Sequence, residues 1–306
     1  MDRGEPPSSG RGALGRPPVR AAGDALRGAA RLGGGAVSGG GAVAVGTVER
    51  LCRYPVKSLL GEELDGVEVT GRGLAGDRER ALLDPETGRV ASAKHPRLWA
   101  GLLAFAAAAA ADGGVVITGP DGRGAGEAEL SEAIGRKVVL VAERPAGATV
   151  ERAVPEEVLA HGIAAEVDVT VSELGRAAPD GGFFDFAPLH LITTATLRAT
   201  GAEAERYRPN LVIRTEGEGF VENAWVGREL AIGPTLRLRV LAATPRCAVP
   251  TLRHGPLPRR TEALRIPAER NRVVPLEGMP ALPCAGVYAQ VVVPGRILAG
   301  AEVRLD

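Results

Sequence analysis

The sequence Leu236-Arg237-Leu238-Arg239-Val240-Leu241 places an apolar side chain at every second position. A period of two is typical of a β-strand with one buried face. The run 242–251 that follows contains Pro245 and Cys247, so we expect the cysteine in a loop where the backbone leaves the sheet. Arg246 precedes Cys247, and a basic neighbour favours a thiolate. A thiolate can bind a soft metal or act as a nucleophile, whereas a neutral buried thiol only packs.

Similar alternation recurs along the chain from residue 44 onward. Short alternating runs separated by tight turns, such as the Asp-Pro-Glu-Thr-Gly turn at 84–88, predict a mainly antiparallel β-barrel or sandwich. The further predicted strands are 44–51, 64–70, 78–83, 115–117, 137–141, 211–214, 229–232, 287–293 and 302–305.

A smaller share of the chain has helical periodicity. Residues 188–200 are predicted as a helix with Thr193 and Thr194 in or near its first turns, and 203–206 as a second helical segment. Residues 122–126 are predicted as a loop, and 145–157 as the link to a second half. The fold class is therefore predicted as mainly β with some α.

The domain organisation follows from these elements and from composition. Residues 1–44 are rich in Gly, Ala, Pro and Arg without periodicity, which predicts a disordered tail. Residues 45–150 are predicted as an N-terminal β-barrel-like domain and 151–306 as a second, β-barrel domain.

Charge and cysteine content argue against several classes of function. The 306 residues carry 37 Lys+Arg and 37 Asp+Glu, so no global field favours nucleic acid or an anionic membrane as a partner. The 3 scattered cysteines suit a reducing cytosol and are too few for an intrinsic four-cysteine iron–sulfur cluster. The longest apolar runs are too short to span a bilayer. We expect a soluble, cytoplasmic monomer.

Gly71, Gly73 and Gly76 match the glycine pattern of a dinucleotide-binding loop. Such a loop needs a helix N-terminus to hold the pyrophosphate, but the following residues 77–83 alternate as a strand. The glycines are therefore predicted to shape a hairpin, and no NAD or flavin site is expected.

A series of short motifs runs along the chain. The motifs are Tyr-Pro-Val-Lys-Ser (54–58), Gly-Leu-Ala-Gly-Asp-Arg (73–78), Lys-His-Pro-Arg-Leu (94–98), Arg-Pro-Asn-Leu-Val-Ile (208–213), the run 227–233, Cys247, Gly-Val-Tyr (286–288) and Pro-Gly-Arg-Ile (294–297). In order and spacing these motifs resemble the MOSC family, the molybdenum-cofactor-sulfurase C-terminal domain with its N-terminal barrel partner, over residues 46–306. The resemblance is close to MOSC enzymes of the amidoxime-reducing-component type.

The resemblance implies a set of cofactor residues. A pterin-based molybdenum cofactor carries a phosphate or nucleotide and a polar heterocycle, and its metal prefers sulfur and oxygen ligands. It therefore needs cations, hydroxyl and amide donors, and a soft ligand. Cys247 matches the metal ligand. The positions that match cofactor contacts are Lys57, Ser58, Arg78, Thr193, Thr194, Arg208 and Asn210.

Each of these residues also has an ordinary structural explanation. Lys57 fits a solvated turn lysine, Arg78 a barrel-rim arginine paired with Asp77 or Glu79, Asn210 a turn residue, and Thr193 and Thr194 a helix cap or surface. Lys94 and His95 are predicted to lie in a surface loop, His190 on an apolar helix face in the core, Cys52 on a strand and Cys284 just before one, both as packing thiols.

The resemblance further implies an activity. A molybdenum-dependent oxidoreductase would bind the molybdenum cofactor (Mo-molybdopterin) in a cleft between the halves and reduce a small N-hydroxylated substrate, with Cys247 as its catalytic metal ligand. Electrons would come from a separate donor protein. The resemblance to the family is also compatible with binding of pyridoxal phosphate. Two alternatives stay open: a sulfur carrier with a persulfide on Cys247, and a non-catalytic module that binds the cofactor.

Overall fold

The computed structural model describes residues 42–306. The predicted tail, residues 1–44, lies outside this part except for its end, where residues 43 and 44 already belong to a strand. The strands are β1 (Val43–Arg53), β2 (Glu62–Leu64), β3 (Gly66–Thr70), β4 (Gly73–Leu74), β5 (Ala81–Leu83), β6 (Ala106–Ala109), β7 (Val115–Thr118), β8 (Val139–Val141), β9 (Thr149–Ala153), β10 (Val169–Glu173), β11 (Leu189–Thr193), β12 (Leu211–Arg214), β13 (Glu229–Ile232), β14 (Leu236–Pro245), β15 (Arg272–Val273), β16 (Leu282–Val293), β17 (Gly295–Leu298) and β18 (Glu302–Leu305).

Short helices connect the strands. The α-helices are α1 (Pro96–Trp99), α2 (Glu127–Ile134), α3 (Pro155–His161), α4 (Thr194–Thr200), α5 (Ala204–Tyr207) and α6 (Glu262–Arg270), with 3-10 turns at Ala100–Ala104, Val221–Trp225 and Val249–Thr251. Within residues 42–306, no helix is long and apolar enough to cross a membrane.

Seven strands close a barrel in the order β11-β12-β1-β18-β13-β14-β16, because β16 also pairs with β11. All of these pairings are antiparallel except β11 with β12. Strand β14 shows how the barrel is filled, because Leu236, Leu238 and Val240 are each fully buried. Burial of such aliphatic side chains from alternate positions supplies the main driving force for folding.

The chain between β1 and β9 forms smaller sheets around a second core. β5 pairs with β8 and β6 with β7, and Leu59, Leu82, Trp99 and Leu102 pack between them. The two halves interlock, because β1 pairs with β12 and β18 in the barrel and β17 pairs with β3. The mainly β fold class is confirmed. The predicted boundary near residue 150 stays a prediction.

The helix predicted over 188–200 is half wrong. Its first part is strand β11, and the helix α4 begins only at Thr194. Every residue of β11 is buried, so it lacks the polar-apolar alternation that would have indicated a strand. His190 therefore lies on a strand rather than on a helix face.

Other differences from the sequence prediction are local. Cys284 lies inside β16 rather than before it, and Arg78 lies outside β5, which begins at Ala81. The predicted link 145–157 contains β9, which pairs with β10. The hairpin prediction at Gly71 is confirmed, because Thr70 pairs with Gly73 across a two-residue turn.

Candidate functional site

The first segment of the candidate site leaves the barrel at the end of β1. The Lys57 amide donates to the Arg80 carbonyl at 2.9 Å. Ser58 has a φ of 66°, and its hydroxyl accepts a hydrogen bond from the Ala93 amide at 3.1 Å. Lys57 and Ser58 are both buried. A hydroxyl that accepts one bond still has a proton to donate, so Ser58 can offer it to a ligand.

Lys57 and Lys94 share one carboxylate. The Lys57 Nζ donates to Asp185 Oδ1 at 2.5 Å and to the Phe183 carbonyl at 3.1 Å, and Lys94 Nζ lies 2.9 Å from Asp185 Oδ1. Burial lowers the pKa of Lys57 to about 8, although the Asp185 charge opposes this shift. Burial alone would raise the pKa of Asp185, but the two lysine charges hold it well below its usual value.

Asp185 was missed by the sequence analysis, and Lys94 was predicted to lie in a surface loop. Asp185 lies in the run Phe183-Phe184-Asp185-Phe186, which holds three of the 5 phenylalanines of the chain. A carboxylate among aromatic side chains before an apolar strand is the signal that could have indicated it. The run is fixed to the first half, because the Phe183 amide donates to the Arg78 carbonyl at 2.8 Å.

Arg78 and Arg208 lie on the ring of Tyr54. Their guanidinium carbons are 4.8 Å and 4.3 Å from the ring centroid. Arg78 also forms an ion pair with Asp77 and donates from Nη2 to the Arg208 carbonyl at 3.1 Å. Stacking on an aromatic face orients a guanidinium while leaving its N–H edge available to a ligand.

The backbone is unfavourable at three of the predicted cofactor residues. Ser58 (φ 66°), Arg78 (φ 52°) and Arg208 (φ 56°) are the non-glycine residues with positive φ in the part of the chain that the structure describes. The left-handed region costs a residue with a side chain on the order of 1–2 kcal/mol. Such outliers cluster at ligand-binding sites, where the surrounding structure enforces them. Their coincidence with motif residues is independent support for a site here.

Asn210 connects three segments of the site through hydrogen bonds. Its side chain is fully buried; Oδ1 accepts from the His190 amide at 3.1 Å and from Arg78 Nη1 at 3.3 Å, while Nδ2 donates to the Cys52 carbonyl at 3.3 Å. Asn210 therefore joins β1, β11 and Arg78, and this part of its role does not depend on a ligand.

Asn210→Ala is expected to lower the free energy of unfolding of the ligand-free protein by about 2–4 kcal/mol, because it leaves buried polar groups unpaired. Urea unfolding measures the change. Asn223→Ala is the comparison, since its amide makes one bond, to Asn271 Oδ1 at 2.7 Å. A loss at position 210 no larger than at 223 would contradict the structural role.

Thr193 and Thr194 form hydrogen bonds with residues outside the group of lysines and arginines described above. Thr193 caps α4, accepting from the Thr196 amide, and donates to Glu222 Oε2 at 2.6 Å. Thr194 Oγ1 accepts from the Thr215 amide at 3.1 Å. Among the described residues, no hydrogen bond links either threonine to the lysines and arginines above. The geometry corresponds to the helix-cap alternative raised from the sequence.

Cys247 lies in the loop that follows β14, as predicted, and its side chain is buried. It is 8% exposed and packs with Ala93, Leu103 and Leu252. The preceding Arg246 donates to the Tyr207 carbonyl at 3.1 Å, and its Nη1 lies 3.4 Å from His190 Nε2. Burial lowers the pKa of His190 well below its usual value, and the Arg246 charge adds to this, so the imidazole is neutral.

The other two cysteines are packing residues, as predicted. Cys52 and Cys284 are buried, and burial raises the pKa of each thiol to about 11. Neutral thiols of this kind behave as small hydrophobic groups. Among residues 42–306, no three His, Cys, Asp or Glu side chains cluster as a metal site. A metal at Cys247 would need most of its ligands from a bound group.

We call Lys57, Arg78, Lys94, Arg208 and Arg246 the cationic cradle. Asp77 and Asp185 are the carboxylates paired with it, which leaves three positive charges in excess. Arg208 Nη1 and Arg246 Nε are buried without a hydrogen-bond partner among the described residues. Burial also lowers the pKa of Arg208 to about 10. A buried N–H donor without an acceptor is costly, so these two atoms fit an anionic ligand rich in acceptors.

The lowered pKa of Lys57 predicts a pH dependence of stability. Between pH 8 and 10 the unfolded chain keeps the Lys57 proton while the folded protein loses it, so stability rises with pH. Relative to Lys57→Met, the wild-type free energy of unfolding should rise by about 2 kcal/mol over this interval. Urea unfolding of both ligand-free proteins at each pH tests this. A constant difference would mean that Lys57 keeps an ordinary pKa.

Comparisons with known proteins identify the family of the chain. Residues 45–152 match the MOSC N-terminal beta barrel domain, and residues 183–304 match the MOSC domain. No curated protein matches the sequence significantly. Several solved structures are similar, and two of them are named here. The YuaD protein from Bacillus subtilis has 11% identity and a TM-score of 0.37, over 85% of this chain and 95% of that one. YiiM from Geobacillus stearothermophilus has 13% identity and a TM-score of 0.26, over 39% and 54%.

Proposed function

This chain is a MOSC-domain protein with a MOSC N-terminal beta barrel domain, and from that membership we propose that its cationic cradle binds the molybdenum cofactor. We further propose that the bound cofactor serves the two-electron reduction of a small N-hydroxylated compound. That reaction consumes two electrons and two protons and gives an amine and water.

One observation carries the proposal. The motif residues Ser58, Arg78 and Arg208 share a strained backbone conformation beside buried cations that exceed their carboxylates. A fold that needed only stability would not keep buried N–H donors without acceptors, such as Arg208 Nη1 and Arg246 Nε. A ligand with phosphate and polar ring atoms removes this cost by pairing with them, so the residues present fit the cofactor.

The side chains of the chain have distinct tasks in this proposal. Lys57 and Lys94 supply ammonium donors to phosphate oxygens, and Arg78, held by Asp77 and Asn210, presents an oriented fork. Cys247 supplies a sulfur donor, and its apolar neighbours Leu103 and Leu252 exclude water from it. The cofactor supplies the oxygen-atom and two-electron chemistry, which no side chain provides.

The burial of Cys247 also bears on the sulfur-carrier alternative. A persulfide that is handed to an acceptor protein must be reached by that protein, and Cys247 is 8% exposed. Burial beside an arginine therefore favours binding of a cofactor by Cys247 over delivery of sulfur to an acceptor protein.

The reductase proposal is tested by its electron supply. The glycines at 71–76 form a hairpin turn, and three cysteines cannot hold a four-cysteine cluster. The purified protein is therefore expected not to oxidise NADH or NADPH with an amidoxime present, but to reduce the amidoxime with reduced viologen. Direct oxidation of NADH by the isolated chain would contradict the proposal. If no electron donor supported reduction of the amidoxime, the reductase proposal would be wrong and only cofactor binding would remain proposed.

A further inference from the structure

The Asp185 carboxylate lies between two lysines. Its Oδ1 is 2.5 Å from Lys57 Nζ and 2.9 Å from Lys94 Nζ. The side chains of the two lysines are 6% and 15% exposed, whereas the side chain of Asp185 is 35% exposed. The ammonium groups are therefore part of the wall of the site, and the carboxylate lies against them from the more open side.

Asp77 shows how a structural carboxylate is held in the same site. Its side chain is fully buried, its Oδ1 accepts from the Tyr54 amide at 2.7 Å, and its Oδ2 pairs with Arg78. Asp185 has no such anchoring. Among the described residues, no backbone amide donates to the Asp185 carboxylate, and both lysines contact the same oxygen. Ammonium groups alone hold it, as they would hold an oxyanion of a ligand.

The backbone is fixed on both sides of Asp185. The Phe183 amide donates to the Arg78 carbonyl at 2.8 Å, and the Phe186 carbonyl accepts from the Ala177 amide at 3.0 Å. Rotation of the Asp185 side chain can therefore carry its carboxylate from the lysines toward solvent without a movement of the chain. Rotamer changes at exposed positions are fast, so this motion presents no kinetic obstacle.

The charges favour a doubly charged ligand at the two lysines. One carboxylate balances only one of the two ammonium charges, whereas a phosphate or sulfate dianion balances both. Lys57 also has a donor to spare, because it uses two of its three N–H bonds, to Asp185 and to the Phe183 carbonyl. A carboxylate and a dianion do not share the same lysines, since like charges at such short distances repel.

We propose that Asp185 holds the place of a tetrahedral oxyanion, and that a phosphate- or sulfate-like dianion binds Lys57 and Lys94 by displacing the Asp185 carboxylate into solvent. The inference rests on the proposed function only for the source of the oxyanion, which is then the phosphate of the cofactor. Breaking the ion pairs of Asp185 weakens binding, and by linkage it does so by the same factor for every anion that takes this position.

Chemical labelling of the wild-type chain tests the exchange. The full chain is prepared in a host that does not make the cofactor, and is treated with a carbodiimide and glycinamide at mildly acidic pH, with and without sulfate. Carbodiimides react with protonated carboxyl groups, and the two lysine charges hold the pKa of Asp185 well below its usual value. Release into solvent restores an ordinary pKa, so saturating sulfate should raise the labelling of Asp185 several-fold. Mass spectrometry of the peptides measures the adduct.

Asp180 is the internal control for the labelling. It is exposed and pairs with Arg144 at 3.6 Å, so its labelling should be the same with and without sulfate. Labelling of Asp185 that stays constant or falls when calorimetry shows bound sulfate would overturn the inference, because the carboxylate would then not leave the lysines. An absence of sulfate binding would overturn it as well.

The same labelling of cofactor-loaded protein identifies the source of the oxyanion. If the cofactor phosphate lies at the two lysines, Asp185 is labelled rapidly without added sulfate. If labelling stays slow until sulfate is added, the exchange is supported and its oxyanion is a free inorganic one. Protein that never acquires a pterin would remove the proposed function, while release of Asp185 by sulfate would still support the exchange.

Two substitutions give an independent test in the cofactor-free protein. Asp185→Asn removes the competing charge and should bind sulfate and phosphate about tenfold more tightly, by the same factor for both, which corresponds to one charge-assisted bond. Asp185→Glu keeps a carboxylate that competes for the lysines and should stay close to wild type, as should Asp180→Asn. Calorimetry measures the affinities. Equal or weaker binding in Asp185→Asn would show that Asp185 orients the lysines for a ligand and would overturn the exchange.

Discussion

Cys247→Ala is expected to lower the viologen-driven reduction of an amidoxime by more than about a hundredfold, beyond the 10–100-fold that the loss of an outer contact to a metal ligand produces. The reason is that the substitution removes the sulfur donor that the chain offers at the cradle. In the described part of the chain, no cluster of His, Cys, Asp or Glu could replace it. Steady-state turnover, with metal content measured on the same samples, gives the result.

Stability provides the control for this prediction. Because Cys247 packs with Ala93 and Leu103, its truncation should cost about 1 kcal/mol, a small-cavity effect that leaves the barrel folded. Cys284→Ala, at a fully buried thiol, should cost a similar amount while turnover stays within about twofold. Equal turnover in wild type and Cys247→Ala would show that this sulfur takes no part in the reaction.

Arg208→Met is the second large effect, and it should separate binding from stability. Loss of a charge-assisted bond to the cofactor, worth about 1.5–3 kcal/mol, weakens binding about tenfold to a hundredfold. The ligand-free protein should be no less stable, since burial already disfavours the Arg208 charge, as its lowered pKa indicates. Dialysis followed by molybdenum analysis measures binding, and urea unfolding measures stability.

An arginine outside the cradle is the matched control. Arg239 is exposed and pairs with Glu229 on the barrel surface, so Arg239→Met should change neither cofactor content nor stability appreciably. If Arg208→Met kept its full cofactor content and only unfolded earlier, Arg208 would be a structural residue that supports Tyr54, and the cradle would have another purpose.

The strands with one buried face could be predicted from the sequence. β18 has the predicted bounds, and β14 has the predicted inward residues Leu236 and Leu238. β12 and β13 also have the predicted bounds, although each buries three successive residues. The alternation of apolar and polar residues is a local signal, and it is present wherever one face of a strand lies against solvent. β11 is buried on both faces, so its local pattern was compatible with a helix, and only its pairing with β12 and β16 decides its structure.

The site was predictable only as far as its local motifs. Lys57, Arg78 and Arg208 stand in short motifs with turn residues, which a single sequence displays. Asp185 acquires its role from Lys57 and Lys94, which lie about ninety or more positions earlier in the chain, and no local pattern encodes such a pairing. For Thr193 and Thr194 the local sequence predicted a cofactor contact. In the folded protein their hydroxyls instead bond Glu222 and Thr215, which the local sequence does not show.

The central claim is that the cradle holds a molybdenum cofactor, and the most direct test is the content of the purified protein. Wild-type protein and a Lys57→Met, Arg208→Met double variant are prepared from a host that makes the cofactor, and molybdenum and released pterin are measured per chain. We expect close to one of each per chain in wild type and a loss of both in the double variant while it stays folded. Wild-type protein without molybdenum and pterin, or a double variant that keeps both in full, would contradict the account.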